Sequence, residues 1–155
     1  MRRSDREITD KNRIEEFISK EQILRVAFHD NGDIYIVPVN YGYLFEYDKY
    51  SFYFHGAKAG RKYELSKSGP TVGFEIDGEY KLLESENACG FSAAFQSVIG
   101  TGVLHLVENR EEKRKGLNAI MKQCSTKSEW DYQDRMLEAV AVYKLSVGRM
   151  SCKAK

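Results

Sequence analysis

Proline is nearly missing from this chain: Pro38 and Pro70 are the only two among 155 residues. With so little proline and no low-complexity stretch, nothing reads as an extended linker between modules. Cysteine is scarce as well. Cys89, Cys124 and Cys152 are odd in number and far apart, with no CxxC or Cys/His ligand spacing, which argues against a disulfide scaffold and against a metal site of the zinc type. Neither charge sign dominates: 24 Lys and Arg against 23 Asp and Glu leave a net charge of +1. No global field favours nucleic acid or an anionic membrane, so any anion site has to be local. Hydrophobic runs are short, and "IYIVPV" falls far below the ~20 residues of a membrane-spanning helix. The opening "MRRSDREITD" is charged and no apolar segment follows it. No secretory signal is expected, and a reducing cytoplasm is the expected compartment. Gly-x-Ser-x-Gly and His-Glu-x-x-His are also missing, so no catalytic dyad announces itself.

What is present is an ordinary globular composition, 42% hydrophobic and 30% charged, in a length that suits one domain over residues 1–155. Thr9 or Asp10 is placed to cap a first helix, along which Ile14, Phe17 and Ile18 form one apolar face. In "ILRVAFHD" the period changes to two, with Leu24, Val26 and Phe28 on one side. Asn31-Gly32 then joins this run to "IYIVPVNYGY" as a hairpin. "LFEYDKYSFYFH" reads as a second hairpin turning near Asp48-Lys49. "RKYELSKSG" reads as a short helix ended by Gly69 and Pro70. "TVGFEID", "GFSAAFQSVIGTGVLHLV" and "AVAVYKLSVGRM" read as strands. Between the last two, "ENREEKRKGLNAIMKQC" predicts a helix with Leu117, Ile120 and Met121 inward and its charges in solvent, and "EWDYQDRMLEAV" a weaker one. Hairpin-linked strands with few helices between them predict a mainly antiparallel sheet of six or seven strands, closing as a small barrel with helices outside.

Three stretches have chemical interest. "FHGAKAGRK" brings an aromatic strand to His55, then small residues, then paired Arg61 and Lys62. Glycines permit close backbone approach, and a guanidinium fork beside an ammonium suits phosphate; solvated charge on a surface loop explains the same residues. "YIVPVNYGY" puts Pro38 inside a strand, as at an edge, a bulge or a ligand contact, with Asn40 and tyrosines available to a planar ring. "FQSVIGTG" combines Gln96, Ser97 and glycines, which also fits a barrel strand bent by glycine. His29 and His105 read as structural strand residues, Cys89 as an inert small residue, and Met121 and Trp130 as core.

Taken jointly, "MRRSDREITD", "AFHDNGDIYIVPVNYGY", "FYFHGAKAGRKYEL", "TVGFEID" and "SVIGTG" occur in the order and spacing of a known family. The chain resembles the nitroimidazole-resistance (Nim-type) proteins of the pyridoxamine-phosphate-oxidase-like, FMN-binding split β-barrel superfamily. The resemblance spans nearly the whole chain and is weakest after Cys124. It implies FMN as cofactor, with FAD left open. It implies that Val37, Pro38, Val39 and Asn40 lie along the isoalloxazine ring, and that Phe54 and His55 lie beside it. Arg61 and Lys62 would grip the phosphate, Gln96 and Ser97 would add polar contacts, and His55 would be the candidate catalytic residue. A homodimer is implied, with a small aromatic, nitroimidazole-like acceptor and NAD(P)H or another reductant as partners. Vitamin B6 oxidation is not expected, because the end "VYKLSVGRMSCKAK" lacks the arginine-rich pattern that recognises that substrate's phosphate. It also has Cys152-Lys153 where many Nim-like chains carry glycine-lysine. The expected activity is that of a nitroreductase-like flavin oxidoreductase. The alternative is a protein that holds flavin without turnover; haem binding through a histidine has no motif of its own here.

Overall fold

A computed structural model of the chain describes residues 4–127 and 130–155. Asp10 opens the first helix, α1 (Lys11–Lys20), its carboxylate accepting from the backbone N–H groups of Asn12 and Arg13 at 2.9 and 3.3 Å. Such a cap contributes about 1 kcal/mol. Ile14, Phe17 and Ile18 are the helix's buried face, as their spacing predicts.

Ahead of α1, residues Glu7–Ile8 form the short strand β1. After it, β2 (Ile23–Asp30) and β3 (Asp33–Asn40) are joined by Asn31 and Gly32 at φ of 52° and 97°. Positive φ at both central positions makes the tight turn whose twist matches the flanking strands. The next hairpin joins β4 (Gly42–Glu46) to β5 (Lys49–Ala57). Its turn falls on Tyr47 and Asp48, at φ of 52° and 61°, one residue before the expected place. Lys49 is needed in the ladder opposite Glu46, which leaves two residues for the loop. Helix α2 (Arg61–Ser66) follows, and Gly69 takes φ 65° just beyond it.

Three long strands complete the sheet: β6 (Thr71–Leu83), β7 (Ser92–Val107) and β8 (Val140–Ala154). β6 outruns "TVGFEID" because a register shift between Gly78 and Lys81 lets its pairing with β7 resume. β8 outruns "GRM" because Ser151–Ala154 still pair with β7, and Cys152 and Lys153 also with β1. The strand order is β3-β2-β6-β7-β8-β5-β4, with β1 on β8 and every ladder antiparallel. Among the described residues eight strands form, against an expected six or seven. Among the described residues no ladder joins β3 to β4, so the barrel stays split at that seam. Pro38 on β3 has no N–H to offer there. The interior is aromatic: Phe28, Phe52, Phe54, Phe74, Tyr41 and Tyr143 are buried in one cluster.

Helix α3 (Arg110–Cys124) crosses the outside of β4 and β5. Of the expected Leu117, Ile120 and Met121, Ile120 is buried and Leu117 packs partly buried beside it, while Lys113, Gly116 and Ala119 make up the rest of the buried face. Small residues win because the helix comes very close to the sheet: a Cβ on Gly42 would lie 2.1 Å from the Ala119 carbonyl carbon. Lys113 also departs from the expectation of solvated charge. Its Nζ donates to the carbonyls of Leu137 and Val140 at 2.9 and 3.1 Å, tying down the end of α4 (Asp134–Ala139). Burial holds that ammonium below its ordinary pKa. α4 is shorter than "EWDYQDRMLEAV" suggested; Trp130–Gln133 are not helical, and Glu129 lies outside the described residues. Among the described residues no helix is long and apolar enough to cross a membrane.

Candidate cofactor site

Strand β5 alternates, so consecutive residues face opposite sides. Phe52 and Phe54 point into the barrel, where Phe54 is fully buried and stacks on Tyr143 with centroids 4.9 Å apart and planes 13° apart. Tyr53 and His55 face the other way, Tyr53 against α3 and His55 at an exposed position on the same side. Partial desolvation, and secondarily the Lys62 ammonium, hold the His55 imidazole below its ordinary pKa of 6.5. It is therefore neutral at pH 7.

Past Gly60, at φ 90°, the chain enters α2 with the two cations. They are held differently. Arg61 donates from Nε to Oδ2 of Asp30 at 2.7 Å and pairs with the same oxygen through Nη2 at 2.6 Å, and its guanidinium carbon lies 4.7 Å from the Tyr35 ring centroid. Lys62 turns to the barrel side, with Nζ 5.4 Å from the Phe54 centroid and 5.0 Å from that of Tyr143. Among the described residues it has no carboxylate partner. A Cβ on Gly56 would stand 3.0 Å from this Nζ, so glycine leaves room for the ammonium. Burial lowers the Lys62 pKa. Beside it the Tyr143 hydroxyl is buried without a hydrogen-bond partner among the described residues, its pKa pushed up to about 12 by burial. A half-buried cation without a counter-ion, next to an unsatisfied hydroxyl, fits an anionic ligand group.

The other residues singled out in the sequence lie apart from this cluster. Val37, Pro38, Val39 and Asn40 pair with Val26, Arg25, Leu24 and Ile23. Val37 and Val39 face the core; Pro38 and Asn40 are exposed, and the Asn40 amide donates to the Gln22 carbonyl at 3.2 Å. Pro38 sits on a strand paired on one side only, where a missing N–H is tolerated. Gln96 and Ser97 lie at the opposite end of β7. Tyr143 pairs with Leu106, whereas Gln96 pairs with Gly78 and Ala154. The interval from Leu106 to Gln96 is about 30 Å of strand at roughly 3.3 Å per residue. Gln96 is buried, its Nε2 3.6 Å from the Cys152 sulfur. The chain therefore brings Phe54, His55, Arg61 and Lys62 to one strand end, and leaves Gln96 and Ser97 distant. Sequence reasoning missed Asp30, Tyr35 and Tyr143. The signal for the first two was the Asn31-Gly32 turn, which puts the end of β2 and the start of β3 side by side.

A cavity of about 290 Å³ lies next to α2, lined by Lys58, Tyr63, Leu106, Lys113 and Val142 among others. A wider one of about 800 Å³ lies beside α3 and Trp130 and contains none of the site residues. His29 and His105 are exposed strand residues, and all three cysteines are free. Among the described residues no group of His, Cys, Asp or Glu could hold a metal ion.

An antiparallel split barrel with helices outside and a basic pair at the end of β5 defines a recognisable class. The chain belongs to the pyridoxamine 5'-phosphate oxidase family, whose model matches residues 10–154. Within that family it is similar to the crystal structure of a candidate 5-nitroimidazole antibiotic resistance protein from Bacteroides thetaiotaomicron. The two are 31% identical, over 96% of this chain and 86% of that one, with a TM-score of 0.81. A flavocytochrome from Azotobacter vinelandii is 20% identical, with a TM-score of 0.82 over 100% of this chain and 72% of the other. The FAD and heme binding protein from Mycobacterium smegmatis is 15% identical, with a TM-score of 0.84 over 97% and 73%. At those two identities the likeness is one of fold. Among curated proteins nothing matches the chain significantly.

Proposed function

We propose that the chain binds FMN and acts as a nitroreductase-like oxidoreductase on a small aromatic acceptor such as a nitroimidazole. One observation carries the reading: Lys62 is half-buried, has no counter-ion among the described residues, and shares its strand end with Arg61 and His55. The likeness to a nitroimidazole-resistance relative supports the acceptor class. Lys62 and Arg61 hold the phosphate, and the Val37–Asn40 backbone lies along the ring. Bound flavin supplies two-electron redox chemistry, with a nicotinamide donor as the proposed source of electrons. His55, neutral at pH 7, orients the ring or relays a proton to the reduced acceptor.

A twofold homodimer completes the site in this reading. The outward sheet face carries Ile34, Ile36, Ile99 and Val103, exposed by 64%, 59%, 48% and 38%. Exposed apolar side chains around the Arg25–Glu75 ion pair suit a protein interface, and Ser97 alternates onto the same face. A second subunit then delivers Ser97, which lies too far from Lys62 within one chain, whereas Gln96 stays inside its own barrel against Cys152. Light scattering of the flavin-loaded protein is expected to give the dimer mass; a stable loaded monomer at micromolar concentration refutes this arrangement.

The deciding experiment releases the cofactor by heat and identifies it by chromatography and mass. Purified holoprotein is then mixed with NADH or NADPH, followed by a nitroimidazole. Loss of flavin absorbance and its return on adding the acceptor are expected. Bound FMN that no donor bleaches would mark a flavin-holding protein instead, and a preparation that cannot retain FMN at all refutes the site.

A further inference from the structure

The two cations of the clamp are not equivalent. Arg61 is already neutralised, and by a carboxylate that is itself held in place. Oδ2 of Asp30 accepts from Nε of Arg61 and forms an ion pair with Nη2 at 2.6 Å, while Oδ1 accepts from the Asn31 side-chain amide at 3.2 Å. The Asp30 side chain is 19% exposed against 48% for Arg61, so the acid is the shielded partner and the guanidinium the outward one. Tyr35, on the adjoining strand of the same hairpin, lies against the guanidinium and restricts its plane. With Nε bonded to Asp30 and Nη2 in its ion pair, Nη1 has no protein acceptor among the described residues.

We propose that Asp30 is the positioning residue of the phosphate clamp: it fixes the Arg61 fork so that Nη1 faces the ligand, while Lys62 supplies the uncompensated charge. This rests on the FMN reading above. The arrangement has a cost, because Asp30 places a negative charge near the phosphate seat. Arg61, Lys62 and Asp30 together carry +1, and neutralising Asp30 makes that +2. Charge alone therefore predicts tighter FMN binding without Asp30. Positioning predicts the opposite, because a free arginine has to lose side-chain freedom before its planar fork can meet phosphate oxygens. The β2–β3 turn thereby serves the site: it places Asp30 and Tyr35 as two walls around one side chain of α2.

The test titrates FMN, and separately riboflavin, which lacks the phosphate, into flavin-free full-length protein, following flavin fluorescence. Asp30→Asn is expected to weaken FMN by roughly tenfold despite the gained positive charge, to leave riboflavin unchanged, and to have no further effect in an Arg61→Ala background, since coupled residues are not additive. Tighter FMN binding by Asp30→Asn would make Asp30 a competing anion and overturn the proposal. An equal loss for riboflavin, or an undiminished loss in the Arg61→Ala background, would reduce Asp30 to a structural hairpin residue and overturn it too. If Asp30→Asn does not fold, Asp30→Glu gives the same readout at constant charge: an FMN-specific loss supports positioning, and no loss refutes it. FMN binding untouched by both Arg61→Ala and Lys62→Ala would remove the phosphate clamp and this proposal with it, while wild-type protein that binds no FMN would remove the cofactor reading itself.

Discussion

Lys62→Met separates the phosphate clamp from every structural use of the same side chain. Methionine keeps an apolar stem of similar length against Phe54 and Tyr143 while removing the charge. In the free protein the ammonium has no ion pair among the described residues, only the two ring faces at 5.4 and 5.0 Å. Cation–π contact contributes about 0.5–1 kcal/mol at such sites, and burial of the charge opposes it. The melting temperature of flavin-free protein should therefore change little. Toward a bound phosphate the balance differs, because a hydrogen bond to a charged group contributes about 1.5–3 kcal/mol. FMN affinity should fall roughly 10- to 150-fold. The pH dependence has a definite sign. Burial lowers the Lys62 pKa from 10.5, and a bound phosphate favours the charged ammonium and raises it again. FMN affinity is thus full below the free-protein pKa and declines as pH climbs through it. In the flavin-free protein the unfolded chain binds more protons over the same window, so stability increases as pH rises toward 10.5. Lys62→Met should lose that alkaline decline in affinity. Fluorescence titration across pH measures all of this. An unchanged FMN affinity in Lys62→Met would return "GAKAGRK" to ordinary surface charge.

His55→Gln should retain FMN and, where the imidazole relays a proton, lose roughly 10²–10⁴ in acceptor turnover; a fully loaded variant with undiminished turnover removes His55 from the chemistry. Because the folded-state pKa of His55 lies below 6.5, its contribution to stability is present above pH 6.5 and is lost as pH falls through the folded value, and acid titration of melting temperature should show this loss diminished in the variant. Gly42→Ala should destabilise the fold by about 1–3 kcal/mol or more, since its Cβ meets the α3 backbone at 2.1 Å; chemical denaturation with a wild-type midpoint would contradict the close helix–sheet contact.

Much of the local structure was legible from residues near each other in the chain. Asp10 ahead of Ile14, Phe17 and Ile18 announces a capped amphipathic helix, and Asn31-Gly32 announces a turn with positive φ, because capping and turn chemistry depend on neighbours a few positions away. The Arg61-Lys62 pair and its small-residue approach were legible for the same reason. Long-range pairing was not. That Arg61 is tied to Asp30 while Lys62 has only aromatic rings around it depends on where a hairpin and a short helix meet, across 31 positions of chain. Lys113 reads as a surface cation on a helical wheel, yet α3 and α4 close over it and give its ammonium two carbonyls. The sequence by itself determined the antiparallel elements through periodicity, and its resemblance to a known family supplied the candidate residues. Tertiary structure alone decided which of those residues share a place. Strand register put Gln96 and Ser97 at the far end of β7, and alternation along β5 set Phe54 and His55 on opposite faces, because a strand one residue out of phase exchanges its two sides.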